Sequence, residues 1–129
     1  MIWPDKVCIG KHWFETIVAV TEDEHRIGLM GKPWPPPVMS FPYKLAEVRK
    51  FWMKNTPSPL DIVFVRNGKV IDVFRGEPYS LQSVGPDEPS DLVVELPAGT
   101  AAELGIVAGN AVKLFYSNDT VAKKMRNQY

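Results

Sequence analysis

Short apolar runs separated by proline and glycine make up the hydrophobic pattern of this chain. Segments rich in β-branched and aromatic side chains, partly alternating with polar ones, are typical of β-strands. The pair Asn67-Gly68 between two such runs indicates a tight hairpin, because both residues accept the backbone conformation that these turns require. We predict strands within 7–20 and at 60–65, 70–75, 91–96 and 111–116.

The segment 51–65 brings an aromatic pair, a cation, an amide, prolines and a carboxylate into the most apolar part of the chain. Its pattern predicts a strand at 51–54, a proline-stiffened turn at 55–59 and the strand that begins at Leu60. Because side chains alternate along a strand, we expect every second residue of 51–54 to face outward. This segment is where we expect the functional surface to form.

The chain before this segment is dominated by proline. The run 32–37 predicts a stiff polyproline-like connection in which Trp34 packs against the domain. After it, 38–43 predicts a short strand that Pro42 closes, since proline lacks a backbone donor. We interpret 44–50, which is polar, as a loop or a single helical turn.

Two short helices are indicated by their end signals. Thr21 is followed three residues later by Glu24, which is the pattern of a capping box and predicts a helix over about 22–30. The segment 99–105 begins and ends with glycine and predicts a helix of one or two turns, with Thr100 as its N-cap.

Together these elements predict a mainly β fold, a compact antiparallel sandwich or barrel of jelly-roll-like shape, with one or two short helices. The chain of 129 residues has neither internal repeats nor a linker, so 1–129 is expected to be a single domain. Residues 117–129 are polar and basic and are expected to form a flexible or short helical tail.

Charge and composition exclude several classes of function. Fifteen basic and fifteen acidic residues give zero net charge, which argues against general nucleic-acid binding despite Lys123, Lys124 and Arg126 in the tail. The chain has no apolar run of transmembrane length and no signal-peptide pattern, so we expect a soluble, cytoplasmic protein. Its oligomeric state is left open.

A metal site of the usual kind is not expected. Cys8 and His12 are spaced like metal ligands, but one cysteine and two histidines are too few for a zinc site. We interpret Cys8 as a small buried hydrophobe and predict neither a metal nor a cofactor.

Three motifs carry a resemblance to a known family. The string Phe51-Trp52-Met53-Lys54-Asn55-Thr56, followed by Pro59-Leu60-Asp61-Ile62 and Phe64, resembles the signature of domain of unknown function 192, also called uncharacterised protein family 0127. Gly28-Leu29-Met30 is similar to the family's first motif, and Val94-Glu95-Leu96-Pro97-Ala98-Gly99-Thr100 to its third. The resemblance extends roughly from Phe14 to Phe115.

The resemblance implies a compact β fold with no established activity, in a family many of whose members look exported or lipid-anchored. Two departures stand out. The family usually has arginine where this chain has His25, although Arg26 follows, and the family's Gly-Met-Leu-Phe string is replaced by the sequence at 37–41. An anion held by that arginine in the family would be bound differently here.

The residues that we predict to form a binding site combine an aromatic platform with convergent polar groups, as small-ligand and peptide sites do. We expect non-catalytic binding of a small ligand, a sugar or a protein segment. The candidate residues are Trp52, Lys54, Asn55, Asp61 and Glu95, with His25 and Arg26 at the margin.

Other interpretations remain open at this point. Trp52 could belong to the core, Asn55 could cap its own turn and Lys54 could pair with Asp61, in which case the motif is structural. A hydrolase could use Asp61 and Glu95 as a carboxylate pair, since such pairs work at about 5–10 Å. A structural or accessory interaction protein is the third possibility.

Overall fold

The structure, a computed structural model, describes residues 5–117. In that range it contains eight strands and two helices. In chain order they are β1 (Lys6–Ile9), β2 (His12–Glu15), β3 (Ile17–Val18), α1 (Glu22–Ile27), β4 (Met39–Val48), β5 (Leu60–Arg66), β6 (Lys69–Gly76), β7 (Pro89–Pro97), α2 (Thr100–Leu104) and β8 (Val112–Phe115). The tail predicted at 117–129 lies outside the described residues from position 118 onward.

The strands form a sandwich of two sheets. The smaller sheet has the order β2-β1-β8, and the larger has the order β3-β4-β7-β5-β6. All pairings are antiparallel except that of β3 with β4, which is parallel and makes the larger sheet mixed. The predicted mainly β sandwich with two short helices is confirmed, and the sheets do not close into a barrel.

The larger sheet is buried on both faces, each against its own hydrophobic cluster. One face packs against the smaller sheet and α2, through residues such as Val7, Val63 and Leu96. The opposite face packs against α1 and the long connections, through residues such as Phe41 and Phe64. We call these the sandwich face and the loop face. Burial on both sides explains why β5 is apolar at consecutive positions instead of alternating.

The predicted hairpin between β5 and β6 is confirmed. Asn67 and Gly68 have φ angles of 51° and 73°, so both turn residues lie in the left-handed region. That conformation matches the twist of a two-residue hairpin and is easiest for asparagine and glycine. A local signal therefore determined a local structure.

The capping box of α1 is also confirmed. The Thr21 hydroxyl accepts from the Glu24 amide at 3.1 Å, and the Glu24 carboxylate accepts from the Thr21 amide at 3.1 Å. The helix ends at Ile27, three residues before the predicted end, with Gly28 as its C-cap.

The strand predicted at 38–43 is present from Met39 onward, but its closure at Pro42 and the loop or helical turn predicted at 44–50 were wrong. One long strand, β4, passes through Pro42, which is paired with Leu92 of β7, and the register shifts between Pro42 and Glu47. The second half of β4 is largely exposed, and its apolar residues, such as Leu45 and Val48, do not form a buried face that would have marked it as a strand. Proline has no backbone N–H to donate to β7, and the shift in register follows directly after it.

The strand predicted at 51–54 was also wrong. Only Phe51 forms a bridge, with Val84, and Met53 donates its amide to the Ser80 carbonyl. The segment therefore crosses the loop face as an irregular connection, held by the long loop between β6 and β7. Phe51 and Met53 of this segment pack against the larger sheet, but the segment is not a strand of that sheet.

Two smaller expectations failed as well. Trp34 is 55% exposed and does not pack against the domain. Thr100 is the first residue of α2, and Gly99 is its N-cap. Neither helix in the described part of the chain is long and apolar enough to cross a membrane.

Candidate functional site

A cavity of about 220 Å³ opens on the loop face of the larger sheet. Four parts of the chain surround it: the end of α1 with the turn after it, the middle of β4, one residue of β7, and the irregular segment after β4. Its lining residues are His25, Arg26, Ile27, Gly28, Leu29, Met30, Phe41, Tyr43, Lys50, Phe51, Trp52, Lys54, Thr56 and Glu95.

Glu95 is the acid of this cavity. Its register partners in the neighbouring strands are Met39 and Ile62, so it occupies a position among apolar side chains on the loop face. It is 4% exposed, and its carboxyl group forms no hydrogen bond with any residue in 5–117. Burial raises its pKa from the ordinary 4.5 to about 8, because desolvation disfavours the charged form.

Backbone geometry at the end of α1 leaves room above Glu95. Gly28 has φ 52° and ψ −126°, a conformation that side-chain-bearing residues rarely adopt. A Cβ atom at this position would lie 3.7 Å from Glu95 Oε1 and 3.6 Å from the Phe41 ring. Glycine therefore lets the helix end here while keeping the space beside the carboxyl group open.

The same helix end fixes His25. Its Nε2 lies 2.8 Å from the Ala19 carbonyl, and because a carbonyl only accepts, this nitrogen must donate. The imidazole ring meets Tyr43 and Phe41 edge to face, with centroids at 4.9 and 5.7 Å. His25 is thus held by the protein as part of the cavity wall.

Aromatic rings form most of the remaining wall. Phe41 and Phe51 meet edge to face at 5.3 Å between centroids. The Arg49 guanidinium lies 3.4 Å from the centroid of Tyr43. The pKa of Tyr43 is raised to about 12, mainly by burial, with Arg49 lowering it and the Glu95 carboxylate raising it, so the phenol stays protonated.

Trp52 and Lys54 lie at the mouth. Trp52 is 47% exposed, and Lys54 Nζ is 5.3 Å from the centroid of its ring. The two side chains therefore do sit together, as predicted, but the irregular backbone places them there and strand alternation does not. The exposure of Trp52 is inconsistent with the interpretation that it belongs to the core.

The other cations of the cavity have partners. Arg26 forms an exposed ion pair with Asp23 at 3.3 Å, within α1. Lys50 pairs with Asp87 at 3.0 Å and donates to the Gly85 carbonyl. Lys54 forms no ion pair among residues 5–117.

Asp61 is not part of this cavity. It pairs in register with Leu96, the neighbour of Glu95, and therefore points to the sandwich face. Its Oδ2 accepts from the amides of Gly99 and Ala101 at 3.0 and 2.9 Å, and so caps the start of α2. The Asp61–Glu95 carboxylate pair and the Lys54–Asp61 ion pair, both left open by the sequence, are not formed, because Asp61 points to the opposite face of the larger sheet.

The structure thus brings together five of the seven predicted residues: His25, Arg26, Trp52, Lys54 and Glu95. Asn55 is next to the lining but not in it. It has φ 55°, and its carbonyl accepts from the Gly31 amide at 2.8 Å, which ties the mouth to the turn after α1. Its side chain forms no hydrogen bond with any described residue, so it does not cap its own turn.

Sequence reasoning missed several members of the wall. Tyr43 was hidden because the strand was expected to end at Pro42, and Lys50 because its segment was interpreted as a loop. Gly28 lay in a recognised motif, but only its left-handed backbone reveals its role. Within 5–117, no three His, Cys, Asp or Glu residues are grouped so that they could hold a metal ion.

The fold and the cavity define a small β-sandwich domain with one acid-containing cavity beside its larger sheet. The chain belongs to domain of unknown function 192, described as Uncharacterized ACR, whose family model matches residues 6–114. The resemblance of the three motifs is thereby confirmed.

Two solved structures are similar. A protein of unknown function from Novosphingobium aromaticivorans is 33% identical, with a TM-score of 0.76, over 87% of this chain and 84% of that one. A putative transcription regulator from Sinorhizobium meliloti is 27% identical, with a TM-score of 0.79, over 88% of this chain and 95% of that one. No curated protein matches.

Proposed function

We propose that this protein binds a small polar ligand in the Glu95 cavity and catalyses no reaction there. The observation that carries the proposal is the carboxyl group of Glu95, which lines the cavity without a hydrogen-bond partner among the described residues. A carboxyl group that reaches the cavity and has no protein partner is available to a ligand, and a hydrogen bond to a charged group contributes about 1.5–3 kcal/mol.

The surroundings of Glu95 support binding more than catalysis. Glycoside chemistry needs a second carboxyl group at about 5–10 Å, and Asp61 lies on the other face of the sheet. Glu95 is the only carboxyl group in the lining formed by the described residues. The Nε2 atom of His25 donates to the Ala19 carbonyl, so this histidine has a defined role in the cavity wall.

The description of one similar structure as a putative transcription regulator finds no support in this chain. Proteins that read DNA through a helix place it in the major groove with several side chains on the base edges. The two helices in 5–117 have six and five residues, and the chain has zero net charge. A small ligand fits the observed cavity better than a nucleic acid.

A thermal-shift screen with sugars, nucleotides, short peptides and amino acids tests the proposal. A ligand at a hundredfold excess over its dissociation constant should stabilise the protein by about 2.7 kcal/mol, which is readily measured. Glu95→Leu should abolish the shift, because it fills the position without a polar group. Glu103→Leu, an exposed change on α2, should preserve it.

Two results would contradict the proposal. One is the absence of any shift across the whole panel. The other is a shift that survives Glu95→Leu, which would locate binding elsewhere. Conversion of any hit into a product, followed by NMR, would overturn the non-catalytic part alone.

A further inference from the structure

The ionisable side chains of the cavity differ in whether they already have a partner within the protein. Besides Tyr43, the lining carries His25, Arg26, Lys50, Lys54 and Glu95. The first three are engaged with Ala19, Asp23 and Asp87, respectively. Lys54 and Glu95 are the two charged groups of the lining without an ion-pair or hydrogen-bond partner in 5–117.

Lys54 is a cation, whereas Glu95 becomes an anion only when it loses its proton, and the two groups lie at different depths. Glu95 is buried in the sheet, whereas Lys54 is exposed beside Trp52 at the mouth. They do not neutralise each other, since no ion pair joins them. A ligand that satisfies both must carry a donor or cation at its inner end and an anion at its outer end.

The wall around Glu95 favours a cation as the inner group. Tyr43 and Phe51 are half-buried aromatic residues of the lining, and the faces of aromatic rings attract ammonium groups. Arg49, which does not line the cavity, lies over the Tyr43 ring, so one ring of this aromatic cluster already contacts a cation within the protein. A buried carboxylate gains most from an opposite charge placed against it.

We propose that the ligand is a small zwitterion of the amino-acid type, with its ammonium group on Glu95 and its carboxylate on Lys54. This inference rests on the proposed function. At about 220 Å³ the cavity lies below the roughly 300–1,000 Å³ of sites for drug-sized molecules, which suits a short aliphatic chain.

The proposal has a signature in proton uptake. The groups that face Glu95 are His25 and Arg26 of the α1 end, Tyr43 of β4, and Lys50 and Lys54 of the following segment. Because burial raises the pKa of Glu95 to about 8, its carboxyl group is largely protonated at neutral pH when the cavity is empty. Binding of an ammonium group should expel that proton, so affinity should rise between pH 6 and pH 8.

Isothermal titration calorimetry with four matched probes tests the inner and outer charges separately. The probes are 4-aminobutanoate, butylamine, butanoate and 4-hydroxybutanoate, with glycine, β-alanine and lysine added to vary length. We expect 4-aminobutanoate or a length variant to bind best. Replacing the ammonium by hydroxyl or methyl should weaken binding by about tenfold or more, the value of a charge-assisted hydrogen bond. Titrations in two buffers of different ionisation enthalpy should show proton release at pH 7.

Variants assign each end of the ligand. Glu95→Gln keeps the shape but cannot become anionic, and should weaken binding of both amines by about tenfold or more. Lys54→Gln should weaken 4-aminobutanoate by only about two- to fivefold, since exposed ion pairs are weak, and leave butylamine unchanged. Lys113→Gln, on the smaller sheet, is the control and should change neither.

The outcomes separate this inference from the proposed function. If butanoate or 4-hydroxybutanoate binds as tightly as 4-aminobutanoate, or if affinity falls from pH 6 to pH 8, the zwitterion is overturned while ligand binding at Glu95 stands. The same holds if only sugars or nucleotides bind and Glu95→Leu abolishes the effect. If no probe in either panel binds, both proposals fail.

Discussion

Two acids one register position apart show how differently the two faces of the larger sheet are used. Asp61 pairs with Leu96 and points to the sandwich face. Glu95, the residue before Leu96, points to the loop face. Both are buried. Asp61 accepts two backbone amides of the α2 start, whereas Glu95 has no hydrogen-bond partner among the described residues.

The difference teaches that burial of an acid does not by itself indicate function. On the sandwich face the carboxylate serves as the cap that α2 lacks in its own sequence, since Gly99 has no side chain to offer. On the loop face the carboxyl group opens into a cavity and its demand for a partner is unmet. The completeness of the hydrogen bonding, not the depth, separates a structural acid from a candidate binding group.

The pH dependence of stability should give the largest effect. An acid whose pKa is raised on folding stabilises the protein fully below its unfolded value, and this contribution is lost as pH rises. For Glu95 this loss of stability occurs between pH 4.5 and about pH 8. The free energy of unfolding should fall there by up to about 1.4 kcal/mol per pH unit.

Urea unfolding across this range measures the slope, and Glu95→Gln should remove the Glu95 part of it. The control Glu103→Gln should leave the slope as in the unmodified protein. An unchanged slope in Glu95→Gln would show that the buried carboxyl group is not the source and would weaken the contrast between the faces.

Removal of the Asp61 carboxylate should give the next largest effect. Asp61→Ala leaves the Gly99 and Ala101 amides without their acceptor and should lower the free energy of unfolding by roughly 2–4 kcal/mol. Asp61→Asn should lose less, because one amide oxygen can still accept both bonds. Equilibrium denaturation compares the two.

The same variants sharpen the comparison when ligand binding is measured. Asp61→Asn, where it folds, should bind any ligand of the Glu95 cavity with unchanged affinity, because the sheet separates the two sites. Loss of binding in Asp61→Asn with an intact fold would contradict the division into a structural face and a ligand face.

The smallest effect is expected at the start of α1. Thr21→Ala removes the acceptor of the Glu24 amide and should lower the free energy of unfolding by about 1 kcal/mol. Because α1 places His25 and its C-cap Gly28 at the cavity, ligand affinity should fall together with the free energy of unfolding. Thr21→Ser retains the hydroxyl and should behave as the unmodified protein; equal losses in both variants would show that the cap is not responsible.

Features set by neighbouring residues could be predicted from the sequence. The Asn67-Gly68 turn and the Thr21–Glu24 capping box follow from side chains a few positions apart, and both were correct. Five of the seven candidate residues also lie in the cavity, because the motifs that contain them concentrate aromatic and charged groups.

Features set by distant pairing could not be predicted in the same way. Strand segments alone do not fix register, and a slip of one residue between β5 and β7 would have placed Asp61 and Glu95 on one face. The segment 51–54 bonds to Val84 and Ser80 of a distant loop, which its own composition does not encode. The second half of β4 is exposed, so its few apolar residues do not mark a buried face.

The pairing of β1 with β8 has a consequence for biosynthesis. β1 is the central strand of the smaller sheet, and Lys6 is paired with Phe115. During translation β1 and β2 leave the ribosome first, and one edge of β1 stays open until residue 115 has emerged. Since unpaired edges invite association with other chains, a nascent chain stalled before that point should be the most aggregation-prone form of this protein.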